Sequence, residues 1–460
     1  MTLALTPVPV TDAAAPAAAR ELAAFVAARG HGNTPSHILE RARACLLYGL
    51  GIATLTAREP YPAIAEAALC AGEPAATGVC GATVWRSGRR HGVSVAAACN
   101  TVLMHSRCQE DTSGSAHIGI VVIPVALALI EAGFARLEDL LPALVAGYEA
   151  SGAVQRAIGR ASTARGFRAS PLYGTLAGAA TAARLLGLDI DGTEAALANA
   201  AAFAGGTLQS IGDGTDEWRY QMAGATRRAL EAAFLARAGS RASPRSLDGA
   251  RGFAAAFADM PLPAPLRPGA PWVLPEVAFK PYPVCNRNQT ATLLAARLHR
   301  TVDLARVRRV HMRINGFVER GMLERGGFTS VAGTLMSTYF ACAAALVHGT
   351  VTRPMLDRFD DPLIARWIGK LEITPDDGVP YPSAQATVEF DDGSTRRFDE
   401  RKVFADYALP RAEVQRLLER LAREQEPPAD GAGVSAIAAF ADDPSPETMR
   451  RALAALADAP

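Results

Sequence analysis

The seven cysteines of this 460-residue chain, at positions 45, 70, 80, 99, 108, 285 and 342, form no CxxC pair and follow no regular spacing. That excludes a disulfide framework and a structural zinc site, and leads us to expect a reducing, cytoplasmic setting. HxH and HExxH are absent too, so no metal site is expected. There is no GxSxG elbow, no phosphate loop and no GxGxxG fingerprint, so neither a serine hydrolase nor a nucleotide cofactor is expected. An excess of one charge is also missing. Lys and Arg number 47 against 46 Asp and Glu, for a net charge of +1. Nucleic-acid and membrane-surface partners favour concentrated positive charge and are not expected, whereas a small anion needs only two or three cations. The longest apolar run, Ile118 to Ile130, is interrupted by Gly119 and Pro124 and is too short to span a bilayer. The first residues, MTLALTPVPVTDAAAP, lack the positive start and unbroken apolar core of a signal peptide.

What is present is apolar mass: 49% of the residues are hydrophobic, enough for two or three domains or one large domain with an insert. From residue 16 to about 265 the chain is rich in Ala and Leu at helical spacing. Ile38 to Leu50, Leu137 to Tyr148 and Leu172 to Leu186 read as helices. Gly187 ends the last of these, and Thr193 is the expected cap of the next. The segment PLPAPLRPGAPW (261–272) marks a boundary. Beyond it, Val310, Met312 and Ile314 alternate with polar residues. Leu371-Glu372-Ile373 is a second candidate strand, and Ala386 to Phe398 around Asp391-Asp392-Gly393 is a hairpin signal. Asn288 to His299 and Met336 to Val347 read as helices, and the helical pattern returns from Arg411. The expected fold is mainly α: an all-helical domain of residues 1–268 and 405–460 with an inserted α+β lid, 269–404.

Several polar clusters stand out. NTVLMHSRCQEDTSGSAHIG (100–119) places His, Cys, Glu, Asp and hydroxyl residues between two apolar helices. Unpaired polar groups there are costly, so the loop is either an active site with His117 as acid or base, or a set of helix caps around a core histidine. FKPYPVCNRNQ (279–289) holds Lys280, Tyr282, Cys285 and Arg287 on a proline-stiffened backbone, as a site or as a plain linker. Arg168 in GFRASPLYG and Arg219 in GDGTDEWRYQ each lie near a helix start, where they suit a carboxylate or simply face solvent. RSGRR (86–90) reads as a solvated loop.

Taken in order, these segments resemble the MmgE/PrpD family, whose members include dehydratases, decarboxylases and an epimerase acting on 2-methylcitrate, cis-aconitate and iminodisuccinate. The resemblance rests on ATVWRSGRRHGVSVAAACNTVLMHS (82–106), the EDT with its following His (110–117), IPVALALIEAG (123–133), 166–188, 214–236, FKPYPVCN (279–286) and the helix around Tyr339. It implies a helical domain built from both chain ends, a lid, a cleft between them, a homodimer, and cofactor-free chemistry on small carboxylates. It also implies catalytic roles for His117, Lys280, Tyr339 and Thr112. Independently of it, Arg168, Arg219 and Arg287 are candidate carboxylate anchors, because a guanidinium binds a carboxylate in a two-pronged fork, and Cys108, Tyr282 and Cys285 complete the expected substrate-binding set. Three positions depart from the family pattern: Cys108 stands where an Asp is usual, Arg168 where a His is usual, and Trp218 where a Lys is usual. The expectation is a lyase of dehydratase or decarboxylase type. The alternatives are an isomerase or epimerase using two proton-exchange groups, or a silent carboxylate-binding protein.

Overall fold

The computed structural model describes residues 17–56, 58–73, 81–426, 428 and 431–457. The N-terminal stretch examined for a signal peptide and Cys80 lie outside them. The protein is mainly α-helical, with eighteen α-helices and six strands among the described residues. No described helix is long and apolar enough to cross a membrane.

The Ala-rich half is a bundle. Leu140–Ala164 packs on Ala169–Leu185, which in turn packs on Glu217–Arg237. Small side chains permit the close approach. A Cβ on Gly147 would stand 2.2 Å from Thr181 Oγ1 on the neighbouring helix, closer than any real Cβ contact. The apolar run begins one residue late as the helix Gly119–Glu131, buried along nearly its whole length. The helix expected from Leu137 runs on to Ala164, because nothing after Tyr148 breaks it. Thr193 does not cap its helix. Asp189 does, its carboxylate accepting the Gly192 N–H at 2.8 Å, and the helix runs Ile190–Phe203. The carboxylate reaches that N–H from the N-cap position, where Thr193 already lies within the first turn. The 86–90 segment is the tip of a two-stranded hairpin, Gly81–Thr83 with Arg90–Gly92.

The later part carries a four-stranded sheet in the order Leu371–Asp376, Val307–Asn315, Ala384–Phe390, Thr395–Glu400. The first pair is parallel and the others antiparallel. Val310, Met312 and Ile314 are buried as their alternation required. The expected 336–347 helix is Thr338–His348, which starts two residues late because Ser337 caps it by accepting the Phe340 N–H; a separate short helix, Val331–Met336, precedes it. Two large apolar cores result, beside a small cluster of Ala65, Ala98, Val102 and Ala223. One runs from Ala18 to Phe279 and resumes at Val414–Leu456, and the other spans Tyr282–Phe398. The chain therefore changes core between Phe279 and Tyr282, past the Pro-rich segment, and Lys280 sits at the change. Trp218, on a bundle helix, belongs to the second core. Arg411–Arg423 and Ala432–Asp442 return to pack on Ser36–Thr54.

The segment after the boundary is held by Glu149, fully buried, whose carboxylate accepts the Val273 and Leu274 N–H groups at 2.8 and 2.9 Å. Burial raises its pKa to about 7. Glu149→Ala leaves those donors unpaired in the core and is expected to cost about 2–4 kcal/mol of stability, measured by urea unfolding.

Candidate active site

The loop after the helix Val93–His105 turns at Cys108, whose φ of 56° lies in the left-handed region that L-residues avoid. That turn directs the Cys108 carbonyl at Lys280, whose Nζ donates to it at 2.9 Å. The loop is fastened to the crossing segment by Thr112 and Ala278, which exchange backbone hydrogen bonds of 2.8 and 2.9 Å. Tyr48 adds a second fastening: its hydroxyl accepts the Lys280 N–H at 3.0 Å and donates to the Gln109 carbonyl. Asp111 anchors the far end, accepting the Gly119 N–H at 3.2 Å and the Tyr148 hydroxyl. A Cβ at 119 would stand 2.8 Å from the Asp111 carboxylate, so the close approach needs glycine.

At the centre is Glu110, 1% exposed. Its Oε1 lies 3.3 Å from Lys280 Nζ, 3.1 Å from His117 Nε2 and 3.4 Å from His105 Nδ1. Burial alone would push this carboxyl up, but Lys280, His117 and His105 together hold it well below the usual range. Burial pulls the Lys280 ammonium down, and its neighbours Cys108 and Glu110 outweigh that, leaving its pKa above the ordinary value. Both histidines are neutral near pH 7: burial lowers His117 to about 3 and His105 to about 4, against the pull of Glu110.

The partners fix the tautomers. His117 Nδ1 lies 2.7 Å from the Asp111 carbonyl, which can only accept, so the proton sits on Nδ1 and Nε2 carries the lone pair. Arg168 Nη2 lies 2.7 Å from His105 Nε2; guanidinium can only donate, so His105 carries its proton on Nδ1, toward Glu110. Arg168 also donates to the Trp218 carbonyl, and burial lowers its pKa to about 10, so it stays charged. Trp218 meets the His105 ring edge-on at 4.7 Å.

These groups open on a cleft of about 310 Å³. His117, Lys280, Thr112, Arg168, Arg287, Cys108 and Cys285 all line it. The Thr112 hydroxyl is buried there with no partner among the described residues. Arg287 pairs with Glu319 at 2.9 Å and stacks on Phe317 and Tyr381. Burial raises both thiols, Cys285 to about 12, so they are protonated at neutral pH. Three residues singled out in the sequence are not on the cleft wall. Tyr339 is in the second core, its hydroxyl accepting from Arg325 at 2.6 Å and from the Ile373 N–H at 2.9 Å. Tyr282 is packed in that same core. Arg219 is wedged between the Tyr61 and Trp218 rings, 3.6 and 3.9 Å from their centres, and paired with Asp216. Sequence reasoning passed over Glu110 and His105 as site residues, although both flank the polar loop it identified. Nothing in the sequence around Glu319 marks it. Among the described residues no three of His, Cys, Asp and Glu are grouped as metal ligands.

Comparison with known proteins adds a frame. Residues 20–264 match the model of the MmgE/PrpD N-terminal domain. A cis-aconitate decarboxylase-like protein of Aspergillus oryzae is 32% identical over 48% of this chain and 46% of its own length. Human cis-aconitate decarboxylase is 28% identical over 65% of this chain and 66% of its own length. That of Aspergillus terreus is 26% identical over 79% and 80%. The chain thus spans about half to two thirds of the first two relatives.

The neutral histidines make stability depend on pH. The unfolded chain protonates each near pH 6.5, the folded chain only near 4 and 3, so acid favours unfolding. Between about pH 6.5 and 4.5 stability is expected to fall by up to about 1.4 kcal/mol per pH unit for each histidine. His117→Gln should lose its share of that slope in urea titrations; an unchanged slope would mean that His117 is charged in the folded protein.

Proposed function

Since the chain belongs to the MmgE/PrpD family, we propose that it is a lyase of dehydratase or decarboxylase type, acting on a small carboxylate in the cleft between the helical domain and an α+β lid. One observation carries the reading: His117 and Lys280, far apart in sequence, share the Glu110 Oε1 atom at the cleft wall. In this reading Arg168 seats the substrate carboxylate. In a dehydration, neutral His117 accepts a proton from the adjacent carbon on Nε2 and Lys280 protonates the departing hydroxyl, which leaves as water; in a decarboxylation, CO₂ leaves and Lys280 gives the carbanion its proton. The imidazolium formed in the dehydration then donates to Glu110, which stabilises it as a buried carboxylate can. Lys280 stabilises the carbanionic charge or returns a proton, and Thr112 orients the substrate through its unpartnered hydroxyl. The side chains suffice for this chemistry without a cofactor.

Epimerisation needs proton-exchange groups on opposite faces of one carbon. His117 and Lys280 converge on one oxygen atom, and the Tyr339 hydroxyl is engaged elsewhere, which favours the lyase. The resemblance adds a homodimer and a cytoplasmic setting to the proposal; a monomeric mass in light scattering would remove the dimer.

The test is to incubate the protein with a panel of small carboxylates in heavy water and analyse products by NMR. Loss of CO₂ or water supports the reading. Deuterium on a carbon with no change of formula supports the epimerase, and no reaction anywhere in the panel supports a binding protein. His117→Gln should slow turnover at least about a hundredfold with folding intact. Wild-type turnover by that variant would reduce His117 to a structural residue.

A further inference from the structure

The charged groups at the cleft do not match a di- or tricarboxylate. Three cations face it: Arg168, Lys280 and Arg287. Lys280 is neutralised by Glu110 at 3.3 Å, and Arg287 by Glu319 at 2.9 Å. Arg168 alone of the three has no carboxylate within 4 Å among the described residues. Its contacts are the Trp218 carbonyl, the Gln221 side-chain oxygen and His105 Nε2, all neutral. Arg168 as a residue is 5% exposed. The two histidines on the wall are uncharged. Arg219, which might have added a second charge, stands behind the Trp218 ring and is paired with Asp216. The cleft therefore presents one unbalanced positive charge.

The rest of the wall is largely apolar. Leu208 and Ile211 come from the bundle side; Leu335 and Met336 come from the α+β side. A second carboxylate lying against them would lose its hydration with no free cation to replace it. A third would be worse placed still.

Resting on the carboxylate reading above, we propose that this cleft selects a monocarboxylate with an apolar chain: its carboxylate is seated on Arg168, its chain lies along Leu208, Ile211, Leu335 and Met336, and the Arg287–Glu319 pair closes the charge balance against a second carboxylate. Glu319 is then a specificity-determining residue. Its carboxylate occupies the one guanidinium that could otherwise receive the far end of a dicarboxylate.

The experiment measures binding of hexanoate, adipate and cis-aconitate to the full chain by calorimetry at neutral pH. Hexanoate and adipate have the same carbon chain and differ by one carboxylate. Hexanoate is expected to bind at least about tenfold more tightly than adipate or cis-aconitate. Arg168→Met should lose most of the hexanoate affinity, and Arg168→Lys should recover part of it. Because Arg168 is buried and its variants could misfold, Glu319→Gln gives a second arm on a side chain that is 33% exposed. It frees Arg287 and should raise adipate affinity about tenfold while leaving hexanoate nearly unchanged. Adipate or cis-aconitate binding as tightly as hexanoate to the unaltered protein would overturn the proposal. So would no binding of hexanoate, or no gain for adipate in Glu319→Gln. The two readings fail separately. Efficient turnover of cis-aconitate would overturn the monocarboxylate selection and leave the lyase standing. Hexanoate selection without turnover of any carboxylate would do the reverse.

Discussion

A single buried carboxylate oxygen, Glu110 Oε1, organises the centre of this protein. Lys280, His117 and His105 all approach it within 3.4 Å. Taking a carboxylate and an ammonium out of water costs several kcal/mol each, which their attraction recovers only when the geometry is good and the remaining polar atoms are bonded. Here the geometry is only partly complete, because Glu110 Oε2 has no partner among the described residues. Apolar side chains in place of the whole pair would stabilise the fold about as well, whereas removing Glu110 alone would leave Lys280 buried and unpaired. What the carboxylate does accomplish is placement. It ties the loop of the bundle to the residue at which the chain leaves for the second core, so the two cores meet with their reactive groups in register. The Thr112–Ala278 exchange and the Tyr48 hydroxyl serve the same joint from outside the charge cluster.

Placing Arg at 168 has consequences beyond adding a charge. Its guanidinium donates to His105 Nε2, which drives the His105 proton to the nitrogen facing Glu110. His105 then has its N–H on the side of the carboxylate, 3.4 Å away, and its other nitrogen is taken by Arg168, so it is not free to serve as a base. Trp218 completes the arrangement by packing edge-on against His105 and accepting the Arg168 N–H with its carbonyl. Arg168 and the Trp218 ring thus hold one neutral histidine between a cation and an aromatic edge. On the proposed reading, proton acceptance is left to His117, whose Nε2 is not held by an arginine.

The broad architecture was legible because helical periodicity and strand alternation are local properties. Val310, Met312 and Ile314 declare a half-buried strand whatever the rest of the chain does. Caps and breaks were less legible: Asp189 and Ser337 won their positions through side-chain reach to one N–H, which spacing alone does not rank. At the site, His117 and Lys280 were visible as chemistry-bearing residues in unusual apolar surroundings, and the structure brings them to one atom. Glu110 was not singled out, since a Glu beside an Asp and a Thr reads as a helix-capping run. Tyr339 was selected on resemblance, and its ring lies one layer behind the cleft wall, where Arg325 and the Ile373 N–H occupy its hydroxyl. Which face of a helix turns to a cleft depends on the partner element, and the partner here is a sheet whose pairing is set by residues as far apart as Val307 and Phe390.

A histidine with a pKa of about 3 is a weak base, and the charge balance of the cleft explains how it can still serve. Its low value comes first from burial, then from nearby positive charge, with Glu110 pulling the other way. On the proposed reading, the substrate carboxylate arrives beside Arg168 and cancels the one unbalanced charge in the cleft. A substrate anion close to His117 favours the imidazolium by its own negative charge at the moment a carbon acid is in reach, and the Glu110 carboxylate, 3.1 Å from Nε2, adds to that. Burial holds His117 unprotonated, with its lone pair available. The filled cleft raises its affinity for the proton it must take. The same anion that is to be deprotonated thus tunes its own base.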